Sequence, residues 1–102
     1  MFKIIWTYEV STEHRTAFSM AYGADGVWAK LFAKSQGYLG TELWTRADSN
    51  ASFMTIDTWQ DEADFIAFQA KYEDEYTRLD KELENLTLSE VKVGTVFGAV
   101  KS

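Results

Sequence analysis

Three strand-like segments of this chain are apolar on both of their alternating faces. Phe2 to Val10 (FKIIWTYEV) has Phe2, Ile4, Trp6 and Tyr8 on one parity and Ile5 on the other. Ser52 to Trp59 has Phe53 on one parity and Met54 and Ile56 on the other. Leu88 to Gly98 sets Val91, Val93 and Phe97 against Leu88 and Val96. A strand apolar on both faces is buried on both faces. A chain of 102 residues is one domain and has helices enough to cover one side of a sheet. The other side needs another cover, most simply the sheet of an identical subunit. A homodimer is therefore expected from alternation alone.

The remaining elements follow from local signals. Ser11 or Thr12 supplies an N-cap oxygen, with Glu13 in the first turn. A helix follows with His14, Phe18, Ala21 and Tyr22 on one face. Gly23 and Gly26 interrupt it, and it resumes near Val27 with Trp28, Leu31 and Phe32 on one side, ending at Gly37. Tyr38 to Arg46 is the second strand, and the polar turn Ala47 to Ala51 makes it a hairpin with Ser52 to Trp59. Asp61 caps a second helix, with Asp64 three residues on. Phe65, Phe68, Tyr72, Tyr76, Leu79, Leu83 and Leu86 form its inward stripe, and Asn85 ends it. The order is βαββαβ, an α+β ferredoxin-like arrangement over residues 1–102. It predicts a four-stranded antiparallel sheet of strand order 4-1-3-2, with both helices on one face.

Composition narrows the function. No cysteine means no disulfide, thiolate nucleophile, iron–sulfur cluster or Cys-based zinc site. Eleven acids face only Lys71, Arg78 and Lys81 between Asp57 and Glu90, within a net charge of −6. That pattern reads as a solvated helix face and argues against nucleic acid as a partner. No apolar run is long enough for a membrane span, and Lys3, Glu9 and Glu13 break up the N-terminus, so no signal peptide and a cytoplasmic location are expected. Aromatic residues make up 16% of the chain, a surplus that calls for an aromatic-lined cavity, a large interface, or both. The Gly-x-x-Gly pairs at 23–26 and 37–40 lack the context of a phosphate loop, and no metal or Ser-His-Asp pattern is present.

The run Gly37-Tyr38-Leu39-Gly40-Thr41-Glu42-Leu43, then Phe53-Met54-Thr55-Ile56-Asp57-Thr58-Trp59 leading into a helix with Phe65 and Phe68, resembles the antibiotic biosynthesis monooxygenase (ABM) family. The segment Tyr22 to Phe32 is similar to a mostly uncharacterised bacterial branch of it. The resemblance covers nearly the whole chain. It implies two ferredoxin-like subunits packed through their sheets into a dimeric α/β barrel, with a pocket in each subunit between helices and sheet. It further implies one of three functions. The first is a cofactor-independent monooxygenase that oxidises a small electron-rich aromatic, phenol- or quinol-like, with O2. The others are a non-catalytic dimer that binds a small aromatic, and a haem degrader. Haem degraders of the family carry a histidine on the second helix and an asparagine on the first strand. Here Tyr72 to Arg78 contains no histidine, and Thr7 or Tyr8 stands on the strand. The tryptophan common on the second helix of oxygenating members falls near Phe68. These departures count against haem degradation and, less, against the family's quinone-forming mechanism.

The candidate site residues divide by chemistry. His14, the sole histidine, is a possible base, but it sits in a first turn where exposure is common. Asp57 and Glu42 are mid-strand carboxylates. They are either paired with Arg46 or Lys92 or, for Asp57, a general base. Tyr22 and Tyr72 offer hydroxyls, while Tyr8, Trp28 and Phe68 offer ring surface for a substrate. A helix kinked at Gly23 to Gly26 cannot lie flush on a twisted sheet. The expected pocket therefore opens beside the kink, with Trp28, Phe68 and Tyr72 on its wall. The competing outcome is that these side chains fill the gap. No metal or cofactor is expected.

Overall fold

The structure, a computed structural model, describes residues 1–98; the short basic tail at Lys101 lies outside them. The elements in chain order are β1 (Phe2–Glu9), a 3-10 turn (Thr12–His14), α1 (Arg15–Tyr22), α2 (Val27–Phe32), β2 (Tyr38–Thr45), β3 (Ser52–Trp59), α3 (Glu62–Lys71), α4 (Glu73–Leu83), a 3-10 turn (Glu84–Leu86) and β4 (Ser89–Phe97). Every strand pairing is antiparallel, and the sheet order is β2-β3-β1-β4, as element order predicts. Among the described residues no helix is long and apolar enough to cross a membrane.

The local chemistry accounts for most boundaries. The hairpin closes through the Arg46 N–H, which donates to the Ser52 carbonyl at 3.0 Å. Asp61 caps α3 as expected, its carboxylate accepting from the Asp64 N–H at 2.9 Å. Three expectations are corrected. Ser11 makes no side-chain capping bond, because the chain enters the first helical region through a 3-10 turn closed by backbone groups. Asn85 does not end the second helical region in a left-handed conformation; α4 tightens instead into the 3-10 turn Glu84–Leu86. The second helix is also two helices. Its axis breaks at Tyr72, whose φ of −114° and ψ of 26° are not helical.

Gly26 holds the break between α1 and α2. A Cβ there would collide with the Ala21 and Met20 carbonyl groups, so only glycine lets the chain turn this tightly. The core lies between the sheet and these short helices. Phe2, Phe18, Trp59 and Phe68 are its most buried large side chains, and burying each contributes about 1.5–3 kcal/mol. The helix-facing parity of β3 (Phe53, Thr55, Asp57, Trp59) is buried throughout. The opposite parity, with Met54 and Ile56, is half-buried and joins Ile5 on an outer face bare of helices. Trp44, Val91 and Val96 extend that apolar face and are exposed.

Candidate functional site

A cavity of about 300 Å³ opens between the helices and the inner face of the sheet. It sits beside the α1–α2 break, where the kink prevents flush packing. Its floor is sheet: Trp6 and Tyr8 from β1, Thr55 and Asp57 from β3, Thr41 from β2, with Glu90 from β4 at the side. Its walls are helical: Tyr22 from α1, Trp28 and Phe32 from α2, and Tyr76 and Asp80 from α4. Tyr22 packs on Tyr8 with ring centroids 5.1 Å apart. Trp28 lies 6.1 Å from Tyr22 and 4.9 Å from Tyr76. These edge-to-face and tilted pairs fix a wall of flat surfaces at which a planar ring can stack.

Of the three carboxylates that line the cavity, Asp57, Asp80 and Glu90, Asp57 is the buried one. In the sheet it stands between Ile4 on one side and Thr41 on the other. It is 9% exposed, and its Oδ1 accepts a hydrogen bond from the Thr41 hydroxyl at 2.7 Å. Neither Arg46 nor Lys92, the cations anticipated as its partners, is at hand. Arg46 turns outward to Asp48 at 2.7 Å, because it follows the last residue of β2 and leaves the sheet. Burial without a cation pushes the Asp57 carboxyl up to about 6, and the Thr41 bond offsets only part of that. Asp57 thus changes protonation near neutral pH.

The tyrosines behave oppositely. Burial raises Tyr8 far above the usual phenol range and takes Tyr22 and Tyr76 to about 12, so all three stay neutral hydroxyls. Tyr8 is tied to Thr55 Oγ1 at 3.2 Å. The Trp28 indole N–H lies close enough to the Tyr22 hydroxyl to offset part of its burial. It still has no acceptor of good geometry among the described residues. At the rim, Glu90 is raised by burial and by the Asp80 charge, with a Thr87 hydrogen bond opposing.

Tyr8, Tyr22, Trp28 and Asp57 therefore meet in one cavity, and four other candidates stand apart from it. Phe68 is buried among Phe32, Trp59 and Tyr72 rather than on the cavity wall. Tyr72 lies over Lys34 and Lys71 at the break between α3 and α4. That break shifts the inward stripe, so Tyr76, one turn later, takes the wall position expected for Tyr72. His14 is at the surface, 3.6 Å from Glu13. Glu42 points to the outer face, where it meets Lys3 at 4.0 Å and accepts from the Trp44 indole at 3.2 Å. Sequence reasoning missed Thr41, Thr55, Asp80 and Glu90 as cavity residues and placed Tyr76 and Phe32 only in apolar stripes. The period of the second helix, combined with a break at Tyr72, would have found Tyr76. Thr41 carries no such signal. No group of three His, Cys, Asp or Glu side chains among the described residues is placed to hold a metal ion.

No family model matches the sequence, and no curated protein is significantly similar to it. Solved structures do match its fold. SnoaB, a cofactor-independent oxygenase from Streptomyces nogalater, aligns in a mutant form with a TM-score of 0.72 at 17% identity, covering 98% of this chain and 94% of that one. A candidate antibiotic biosynthesis monooxygenase from Bordetella bronchiseptica gives 0.72 at 12% identity, covering 97% of each chain. One from Nitrosomonas europaea gives 0.70 at 15% identity, covering 98% of this chain and all of the other. The fold that the sequence motifs anticipate is thus the fold of ABM proteins over nearly the full length. At these identities what is shared is the fold.

Proposed function

We propose that this protein is a cofactor-independent monooxygenase acting on a small, uncharged, electron-rich aromatic. One observation carries the reading: a buried, cation-free carboxylate, Asp57, sits in the floor of an aromatic-walled cavity with its pKa near 6. A base tuned to the working pH, beside surfaces that stack a flat ring, is what proton abstraction from a phenol- or anthrone-like substrate requires. SnoaB, which shares the fold, is a cofactor-independent oxygenase.

The chemistry balances without a second substrate beyond oxygen. Asp57 takes a proton from the phenol hydroxyl or, in an anthrone, from the activated methylene, and either loss puts carbanion character on the carbon to be oxidised. The carbanion passes one electron to O2, and the substrate radical and superoxide couple into a C–O bond. The peroxide takes the proton back from Asp57, and water is lost across the C–H and O–O bonds, leaving a carbonyl. In sum, an anthrone methylene and one O2 give a carbonyl and one water, and a phenol, through its O–H and one ring C–H, and one O2 give a quinone and one water. The neutral Tyr22 and Tyr76 hydroxyls are available to hydrogen-bond the substrate's oxyanion, and a ring stacked on the aromatic walls displaces water from beside the carbanion. Asp80 and Glu90 at the side, with no Lys, Arg or His in the lining, disfavour a carboxylated substrate. Oxygen uptake with a panel of hydroquinones and anthrones tests the reading. Saturable binding without uptake across the panel would instead make the protein a ligand-binding dimer.

We also propose that the outer sheet face is covered by a second copy of this chain. Its centre is apolar, and its charged groups include the opposite pair Lys3 and Glu42. The acidic run lies mainly on α3 and α4, across the sheet, so two outer faces meet without bringing those charges together.

A further inference from the structure

β2 contains an irregularity that the oxygenase reading does not use. Tyr38 pairs with Trp59, Gly40 with Thr58 and Thr41 with Asp57, so Leu39 is an extra residue opposite none. Gly40 sits at φ +149°, a backbone region that side chains other than hydrogen rarely adopt. In a regular strand, residues three apart point to opposite faces. The bulge cancels that alternation, and the Tyr38 and Thr41 side chains come to the same face. There the Tyr38 hydroxyl makes a short hydrogen bond with Thr41 Oγ1, and either oxygen is able to donate. The Thr41 hydroxyl donates to Asp57 Oδ1 at 2.7 Å.

This three-member chain joins two spaces. Asp57 and Thr41 line the aromatic cavity. Tyr38 and Thr41 also line a separate groove between β2 and α2, whose lining includes Asp25 and Lys30. We propose that Thr41 and Tyr38 are positioning residues that form a hydroxyl relay, holding the Asp57 carboxylate in place and linking it to solvent outside the substrate cavity. The relay rests on the reading of Asp57 as the base. With Asp57 ionised, Tyr38 donates to Thr41 and Thr41 to the carboxylate. With Asp57 protonated, each hydroxyl accepts one proton and passes on its own, and Tyr38 delivers one to water in the groove. No bond other than O–H changes, and no electron moves. A relay of this kind lets the base exchange its proton while a bound ring closes the cavity. The other titratable groups in the cavity with Asp57 are Tyr8 from β1, Tyr22 from α1 and Tyr76 from α4, all neutral, together with Asp80 and Glu90. None is a cation, so the Thr41 hydroxyl is the group that favours the charged form.

The test is a carbon-13 titration of the aspartate carboxyl signals in the full chain, with Asp57 assigned from Asp57→Asn. Thr41→Val keeps the shape and removes the donor. Its Asp57 midpoint is expected to rise by about one to two pH units, the usual worth of a hydrogen bond to a charged group. Thr41→Ser restores the donor and is expected to return the midpoint to within a few tenths of the wild type. Tyr38→Phe should raise it by less than Thr41→Val does. An unchanged midpoint in folded Thr41→Val, or equal shifts in the Val and Ser variants, overturns the proposal. Thr41→Ala replaces Val if that variant does not fold. Because the titration needs no substrate, the two readings fail separately. Shifts as expected without oxygen uptake leave the relay standing and remove the oxygenase. Uptake that depends on Asp57 but no shift does the reverse.

Discussion

Trp28 of α2 and Tyr76 of α4 pack with ring centroids 4.9 Å apart, closing the aromatic cavity from two helices that are remote in sequence. Trp28 is 7% exposed, packs on Tyr22, Phe32 and Tyr76, and also lines the cavity. It is both wall and core. Trp28→Ala should therefore cost about 3 kcal/mol, the low end for truncating a buried aromatic, and should also enlarge the cavity. Denaturant unfolding reads the first effect. The second appears as a raised KM for the aromatic substrate with a smaller change in kcat. A cost near 5 kcal/mol with KM untouched would mean that Trp28 is core alone.

Asp57 links the site to stability. Its pKa lies above the unfolded value of 3.8, at about 6, so the folded chain holds a proton that the unfolded chain has released between those pH values. Its contribution is most favourable below about pH 4 and is lost as pH rises through about 6. The difference amounts to about 3 kcal/mol. Asp57→Asn removes the penalty and keeps an acceptor for Thr41. Relative to wild type, the variant should gain stability from about pH 4 to about pH 6 and then level off, as measured by urea melts at each pH. A constant offset across that range would contradict the burial argument.

Gly26→Ala addresses the kink that creates the cavity. The added Cβ meets backbone carbonyls, which cannot swing away as a flexible side chain would. Its cost should resemble overpacking, about 1–3 kcal/mol. Thermal unfolding measures it, and a neutral result would show that the α1–α2 break is less constrained than its geometry implies.

The outer face predicts its own experiment. Ile56→Asp places a charge at the centre of the surface proposed to meet a second copy. The wild type should scatter light as a dimer at micromolar concentration and the variant as a monomer. A wild-type monomer would remove the dimer and leave the exposure of Trp44 and Val91 unexplained.

The fold was legible because its signals are periodic. Alternation in β1 and β3, the polar turn at 47–51 and the Asp61 cap each act over a few residues, and all agree. The site was legible only in part. Tyr8, Tyr22 and Asp57 lie on inward parities or stripes that can be counted, and Trp28 adjoins a glycine break. Tyr72 misled because a single non-helical residue inside a continuous apolar stripe leaves the stripe's spacing intact while turning its direction. Thr41 was hidden for a different reason. Counting by twos along β2 puts it opposite Tyr38, and only the bulge at Leu39 and Gly40 brings the two hydroxyls together. Arg46 and Lys92, the cations available beside or within strands, drop out as partners of Asp57 only once the register and side-chain directions are known.

The central claim is that Asp57 removes a proton so that the substrate itself reduces oxygen. Its most direct test is turnover under ¹⁸O2 of the hydroquinone or anthrone that best supports oxygen uptake, in wild type and in Asp57→Asn. Wild type should place one labelled oxygen in the new carbonyl. With Asp57→Asn, kcat should fall by about 10²–10⁴ with ligand binding retained, the usual worth of a positioned base. A product oxygen drawn from water, or an Asp57→Asn variant that turns over at the wild-type rate, would contradict it.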